Sequence, residues 1–237
     1  MKERPILFSG AMVRALLDGS KTQTRRAVKL QVQHDDSWVG GWKIVHKRVT
    51  QALLTFNQLG GKPLGSDAAI CPYGQPGDRL WVRETWRGVV EISPPGQAVE
   101  HGVARYVPDR EHCRRVEYAA TQVPDSEPWR PSIHMPRWAS RILLEIVSVR
   151  VERLQDCSQT DAVCEGALHI RSQAWDREHF PAWRYLFDEA VAAGKKPPIG
   201  PSPVEAYQAL WESINRAGSW QANPWVWVVE FKRVAAC

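Results

Sequence analysis

The sequence predicts a mixed fold of α-helices and β-strands, and two kinds of periodicity predict it. Leu80 to Trp86 alternates along a strand, while Ile142 to Val151 and Trp225 to Phe231 are apolar at nearly every position. Elsewhere apolar residues recur at three- and four-residue spacing behind capping residues, the signature of amphipathic helices. At 237 residues, 43% hydrophobic and 24% charged, the chain has an ordinary globular composition and the length for one elaborated domain over 1–237.

The first helix is capped by Ser9, carries Met12, Val13, Leu16 and Leu17 on one face, and stops at Asp18-Gly19. Lys21 therefore begins a turn just beyond it. The octapeptide Gly19-Ser20-Lys21-Thr22-Gln23-Thr24-Arg25-Arg26 sets an amine, three hydroxyls and two guanidiniums after that helix, and reads as a site. A nucleophilic Thr24 needs a base within hydrogen-bond reach, and Lys21 could supply one, as in Ser-Lys hydrolases. Such a lysine must be neutral, so burial and the field of Arg25 and Arg26 would have to lower its pKa from about 10.4. By spacing alone the same string also describes a basic loop gripping phosphate or solvent.

On the strand from Leu80 to Trp86, Leu80, Val82, Glu84 and Trp86 share a face opposite Trp81, Arg83 and Thr85. A carboxylate there is costly to bury alone, so Glu84 either pairs with an arginine or sits at a mouth touching ligand. The segments Ile142 to Val151 and Trp225 to Phe231 suit central strands enclosed on both faces. Ser158-x-x-Asp161 resembles a capping box opening a short helix that Gly166 ends. Glu165 falls in its last turn, where the helix dipole disfavours negative charge, a setting that suits a general acid.

A helix from Pro181 to Ala193 places Trp183, Leu186, Phe187 and Ala190 on one stripe. The last helix, opened by Ser202-Pro203-x-Glu205, carries Tyr207, Leu210, Trp211 and Ile214 as its buried stripe, expected to be core. Pro94-Pro95 and Gly194 to Pro203 read as loops. Most of the twelve tryptophans are expected in the core. Trp86, Trp138 and, at the end of the first strand, Phe8 are placed to stack on a base.

Five ordered segments resemble ASCH-domain proteins, especially larger phage and prophage members. They are Arg4-Pro-Ile-Leu-Phe-Ser-Gly10 with Leu17 to Arg26; Gly77-Asp-Arg-Leu-Trp-Val-Arg-Glu-Thr-Trp86; Ile133-His-Met-Pro-Arg-Trp-Ala-Ser-Arg141; Val151-Glu-Arg-Leu-Gln-Asp156 leading to Asp161-Ala-Val-Cys-Glu-Gly166; and Asn223-Pro-Trp-Val-Trp-Val-Val-Glu-Phe231. The stretches 31–70, 87–130 and 167–201 match no such motif and read as insertions. The resemblance implies an α+β fold built on a PUA-like β-barrel. It also implies an N4-acylcytidine amidohydrolase with Lys21, Thr24 and Glu165 as catalytic residues. Phe8, Arg26, Glu84, Trp86 and Trp138 would bind substrate, a nucleoside or nucleobase, with a donor near Arg26 steadying the oxyanion. No cofactor is implied. Other members are linked to RNA binding or cleavage, so RNA remains a second expected partner.

Cys71, Cys113, Cys157, Cys164 and Cys237 are odd in number and form no Cys-x-x-Cys pair, which disfavours a disulfide framework or a structural zinc site. Seven scattered histidines show no metal-ligand spacing, so no metal is expected. The formal charge of +5 is compatible with nucleic-acid or nucleotide ligands but is spread along the chain. No apolar run approaches the length of a membrane span and the N-terminal apolar stretch is too short for a signal peptide, so a cytoplasmic protein is expected. Nothing in the sequence bears on oligomeric state.

Overall fold

A computed structural model of the chain describes residues 1–29, 38–46, 50–58, 63–93, 96–103, 109–123 and 125–235. In chain order the elements are β1 (Glu3–Leu7), α1 (Gly10–Leu17), β2 (Gln23–Ala27), β3 (Trp38–His46), β4 (Thr50–Gln58), β5 (Pro63–Ile70), β6 (Arg79–Arg83), β7 (Trp86–Glu91), β8 (His101–Val103) and β9 (Cys113–Tyr118). They continue with β10 (Leu143–Arg153), α2 (Gln159–Cys164), α3 (Ala167–Ile170), α4 (Gln173–His179), α5 (Pro181–Ala192), α6 (Pro203–Asn215) and β11 (Trp225–Val234). The fold is α+β.

Five strands form one sheet in the order β1-β6-β10-β11-β2, with β1 parallel to β6 and the other neighbours antiparallel. The two long apolar segments, β10 and β11, pair from Leu143↔Val234 to Arg153↔Trp225 in the interior of the sheet, where both faces can be covered. The helices supply that cover: Val13 and Leu16 of α1 and Tyr207, Leu210 and Trp211 of α6 join Leu144, Ile146 and Val228 in one core. Among the described residues no pairing joins the edge strands β1 and β2, so the sheet stays open and does not close into a barrel. Each edge strand has only five residues, and the chain crosses between them through α1.

The alternating segment at 80–86 is not one strand. β6 pairs with β10 as far as Trp81 and with β1 as far as Arg83; Glu84 and Thr85 leave the ladder, and Trp86 starts β7 in a separate antiparallel sheet, β8-β7-β9. A third sheet, β3-β4-β5, lies within 31–70. Two helical stripes also differ from expectation. On α5, Leu186 is 53% exposed and the buried side chain is Arg184, paired with Asp188 one turn on. On α6, Ile214 is exposed. Helical spacing decides which residues share a face, not whether anything covers it. The Pro94-Pro95 loop and Cys237 lie outside the described residues. Cys71, Cys113, Cys157 and Cys164 are free thiols, and no described helix is long and apolar enough to cross a membrane.

Candidate active site

The end of β1, α1, β2, the end of α2 and α6 enclose a cavity of about 430 Å³. Phe8, Met12, Lys21, Thr24, Arg25, Arg26 and Glu165 line it on one side, and Tyr207, Leu210, Trp211, Ile214 and Asn215 on the other. Lys21, Thr24 and Glu165 thus converge, together with Phe8 and Arg26.

The backbone positions them tightly. Gly19 at φ +84 turns the chain out of α1, and Lys21 N–H then bonds Ala15 O at 2.9 Å. Thr22 ties two elements together, donating to Cys164 O and accepting from Phe231 N–H, both at 2.9 Å. Thr24 therefore stands on a strand, opposite Val229, rather than in the tight turn expected. Ser158 and Asp161 form the capping box of α2, and Glu165 is its C-cap. Gly166 follows at φ +80; a Cβ there would meet Ala15 Cβ at 3.1 Å and Lys21 Cβ at 3.5 Å. Glycine is what lets the end of α2 close on Lys21.

Lys21 is 3% exposed, and its ammonium donates to Gln23 O at 2.8 Å, Glu165 O at 2.7 Å and Glu165 Oε2 at 3.1 Å. The hydrogen bond to Thr24 that a base requires is not made, because all three donors are already engaged. Glu165, 2% exposed, also takes Arg25 Nη1 at 3.3 Å. Burial lowers the Lys21 pKa from the ordinary lysine value; the Glu165 carboxylate opposes this, and Arg26 and Arg25 assist it.

Alternation along β2 sends Gln23 and Arg25 towards α2. Gln23 Nε2 donates to Asp161 O and Oδ1, and Arg25 Nη2 reaches Glu152 at 3.1 Å and Asp161 at 3.4 Å. Arg150 closes the network on Asp161, Glu152 and Glu230. Burial works against the Asp161 carboxylate, but hydrogen bonds from Ser158 and Gln23 and the charge of Arg25 bring it down to about 2. Arg25 is thereby fixed as a cation beneath Glu165.

Thr24 and Arg26 occupy the opposite strand face. The Thr24 hydroxyl makes no hydrogen bond among the described residues. Arg26 lies over Phe8 at 5.5 Å, and Lys21 Nζ is 5.4 Å from the same ring. Arg26 Nη1 and Nη2 donate to Arg25 O at 3.4 Å and Leu7 O at 2.9 Å, which hold the guanidinium at the cavity wall.

Glu84, Trp86 and Trp138 are elsewhere. Arg141 grips Glu84 with two bonds of 2.9 Å, and Trp86 packs edge-on to Trp138 at 5.9 Å in a small cluster with Met135 and Ala139. None of the three lines the cavity. Tyr207, Leu210 and Trp211, expected to be core, do belong to the core cluster and in addition line the cavity, together with the exposed Ile214. Tyr207 is 3% exposed with no hydrogen bond to its hydroxyl among the described residues. In the sequence, Tyr207 differs from the rest of the stripe by its hydroxyl, but Trp211 carries a polar N–H too, so the residue types alone did not mark it as a site residue.

Among the described residues no group of three His, Cys, Asp or Glu side chains could hold a metal ion. The arrangement supplies an unpartnered hydroxyl, a buried amine, a carboxylate between two cations and an aromatic, largely apolar wall. Compared with protein-family models, characterised proteins and solved structures, the chain matches none.

Proposed function

We propose that the chain is an amidohydrolase that removes the acyl group from N4-acylated cytidine or cytosine, an ASCH-type enzyme whose open five-stranded sheet takes the part of the PUA-like barrel. The observation carrying this reading is the buried Lys21–Glu165 pair beside the unpartnered Thr24 hydroxyl in one cavity.

Lys21 passes a proton to Glu165 Oε2, 3.1 Å away. The amine exchanges one of its carbonyl bonds for Thr24 Oγ1 and takes the hydroxyl proton as the oxygen attacks the acyl carbon. The tetrahedral adduct collapses, the C–N4 bond breaks, and Glu165 returns its proton to the departing amine. Lys21 then passes its new proton to Glu165 and, neutral again, takes a proton from water as the water attacks the acyl-threonine; the adduct collapses to the carboxylic acid while Glu165 returns its proton to the Thr24 oxygen. The pair acts as a proton reservoir that supplies a base and an acid in turn. Phe8, flanked by Lys21 and Arg26, offers a ring on which the cytosine stacks.

The test is incubation of the pure protein with N4-acetylcytidine, following cytidine release with and without a chelator. Release that survives chelation supports the reading, and absence of release rejects it.

A further inference from the structure

We infer that Tyr207 is a further catalytic residue, whose phenol donates a hydrogen bond to the acyl carbonyl oxygen as that oxygen becomes an oxyanion. This rests on the amidohydrolase reading and adds to it the group that holds the developing charge.

Among the buried polar groups on the cavity wall, Lys21, Arg25 and Glu165 are engaged with one another. The Trp211 indole N–H and Arg25 Nε lack partners but are themselves sealed away. The hydroxyls of Thr24 and Tyr207 remain, both on wall residues and both without a partner among the described residues. Neither hydroxyl is among the sealed polar atoms, and both belong to residues bordering the cavity, where a ligand can take the hydrogen bond. One hydroxyl attacks; a second, facing the same space, suits the charge the attack creates. As the Oγ–C bond forms, the carbonyl π pair moves onto oxygen, which accepts the phenol hydrogen bond while Tyr207 keeps its proton. Burial, with the Glu165 carboxylate, pushes the Tyr207 phenol well above its usual range, so it stays a donor throughout. Its ring is held by Trp211 at 6.4 Å and Trp220 at 6.1 Å, which fixes the donor in place before reaction. Arg26, also on the cavity wall, has one N–H of each Nη committed to a backbone carbonyl.

The test is Tyr207→Phe, which keeps the ring and its packing, assayed with N4-acetylcytidine. The kcat should fall on the order of a hundredfold to a thousandfold with KM little changed. Inhibition by the product cytidine, which has no acyl oxygen, should be unaffected. Replacing the acyl oxygen by sulfur, a poorer acceptor, should slow the wild type far more than the variant; this comparison does not depend on how much variant protein is folded. A kcat within about threefold of wild type overturns the assignment. So does cytidine inhibition that weakens in step with kcat, since the phenol would then be reading the base. Wild-type protein that releases no cytidine overturns the amidohydrolase reading, and the Tyr207 assignment with it; the other two outcomes overturn Tyr207 alone.

Discussion

Glu84 and Glu165 are buried to the same degree, at 1% and 2% exposure, yet their surroundings differ in kind. Glu84 meets one arginine fork, and that arginine is itself spent: Arg141 Nη1 goes to Thr121, and its guanidinium lies 3.9 Å from the Tyr118 ring centroid. Glu165 is divided between a lysine, which can give up a proton, and an arginine, which cannot, and it borders open space. Burial of a carboxylate therefore does not distinguish a structural pair from a reactive one. What distinguishes them is a transferable proton on the partner and an unsatisfied group across a cavity.

The largest effect that would break this comparison lies at the nucleophile and its base. Thr24→Ala and Lys21→Ala should each lower cytidine release by about a thousandfold or more, because loss of either member disables the unit. Lys21→Arg should be nearly as damaging, since arginine stays protonated. Retention of a tenth of wild-type turnover by Thr24→Ala would leave no covalent route.

The two glutamates should then separate by kind of effect. Glu165→Gln should lower turnover by on the order of a hundredfold, the scale of a lost proton donor. Glu84→Gln should leave turnover within a few fold but cost about 3 kcal/mol in denaturant unfolding, because Arg141 loses its counter-charge. Equal losses of activity in the two variants would erase the distinction drawn above.

A smaller effect sharpens it through pH. An unfolded lysine holds its proton to about pH 10.4, whereas burial makes folded Lys21 release its proton at lower pH. Approaching that value from below, the unfolded chain binds more protons than the folded one, so stability rises with pH, by at most about 1.4 kcal/mol per pH unit from this group. In Lys21→Met this contribution should vanish from unfolding measured across the alkaline range. The smallest change is expected at Trp138→Ala, where turnover should stay within about twofold, as Trp138 packs on Trp86 away from the cavity.

Much of the fold was legible because it rests on short-range chemistry. The Ser158–Asp161 and Ser202–Glu205 capping boxes occur where their residue types call for them, and α1 ends at Asp18-Gly19. The break at Glu84 was not legible, since alternation continues through Trp86 and only the loss of partners ends β6. At the site, Lys21, Thr24 and Glu165 come from two segments 144 residues apart that Thr22, Gln23 and Arg25 bind together.

Sequence by itself determined the stop of α1, the capped starts of α2 and α6, the central pair of apolar strands and the concentration of polar chemistry at residues 19–26. Each depends on neighbours a few positions away, whose geometry the chain cannot change. Tertiary structure alone decided that Glu84 closes on Arg141, that Lys21 gives its protons to Glu165 and Gln23 rather than to Thr24, and that the inward face of α6 borders a cavity. The period of an amphipathic helix is identical whether its apolar face meets packed side chains or empty space. Only the tertiary placement of α6, packed on α2 and α3, makes Tyr207 a cavity-lining residue as well as a core one.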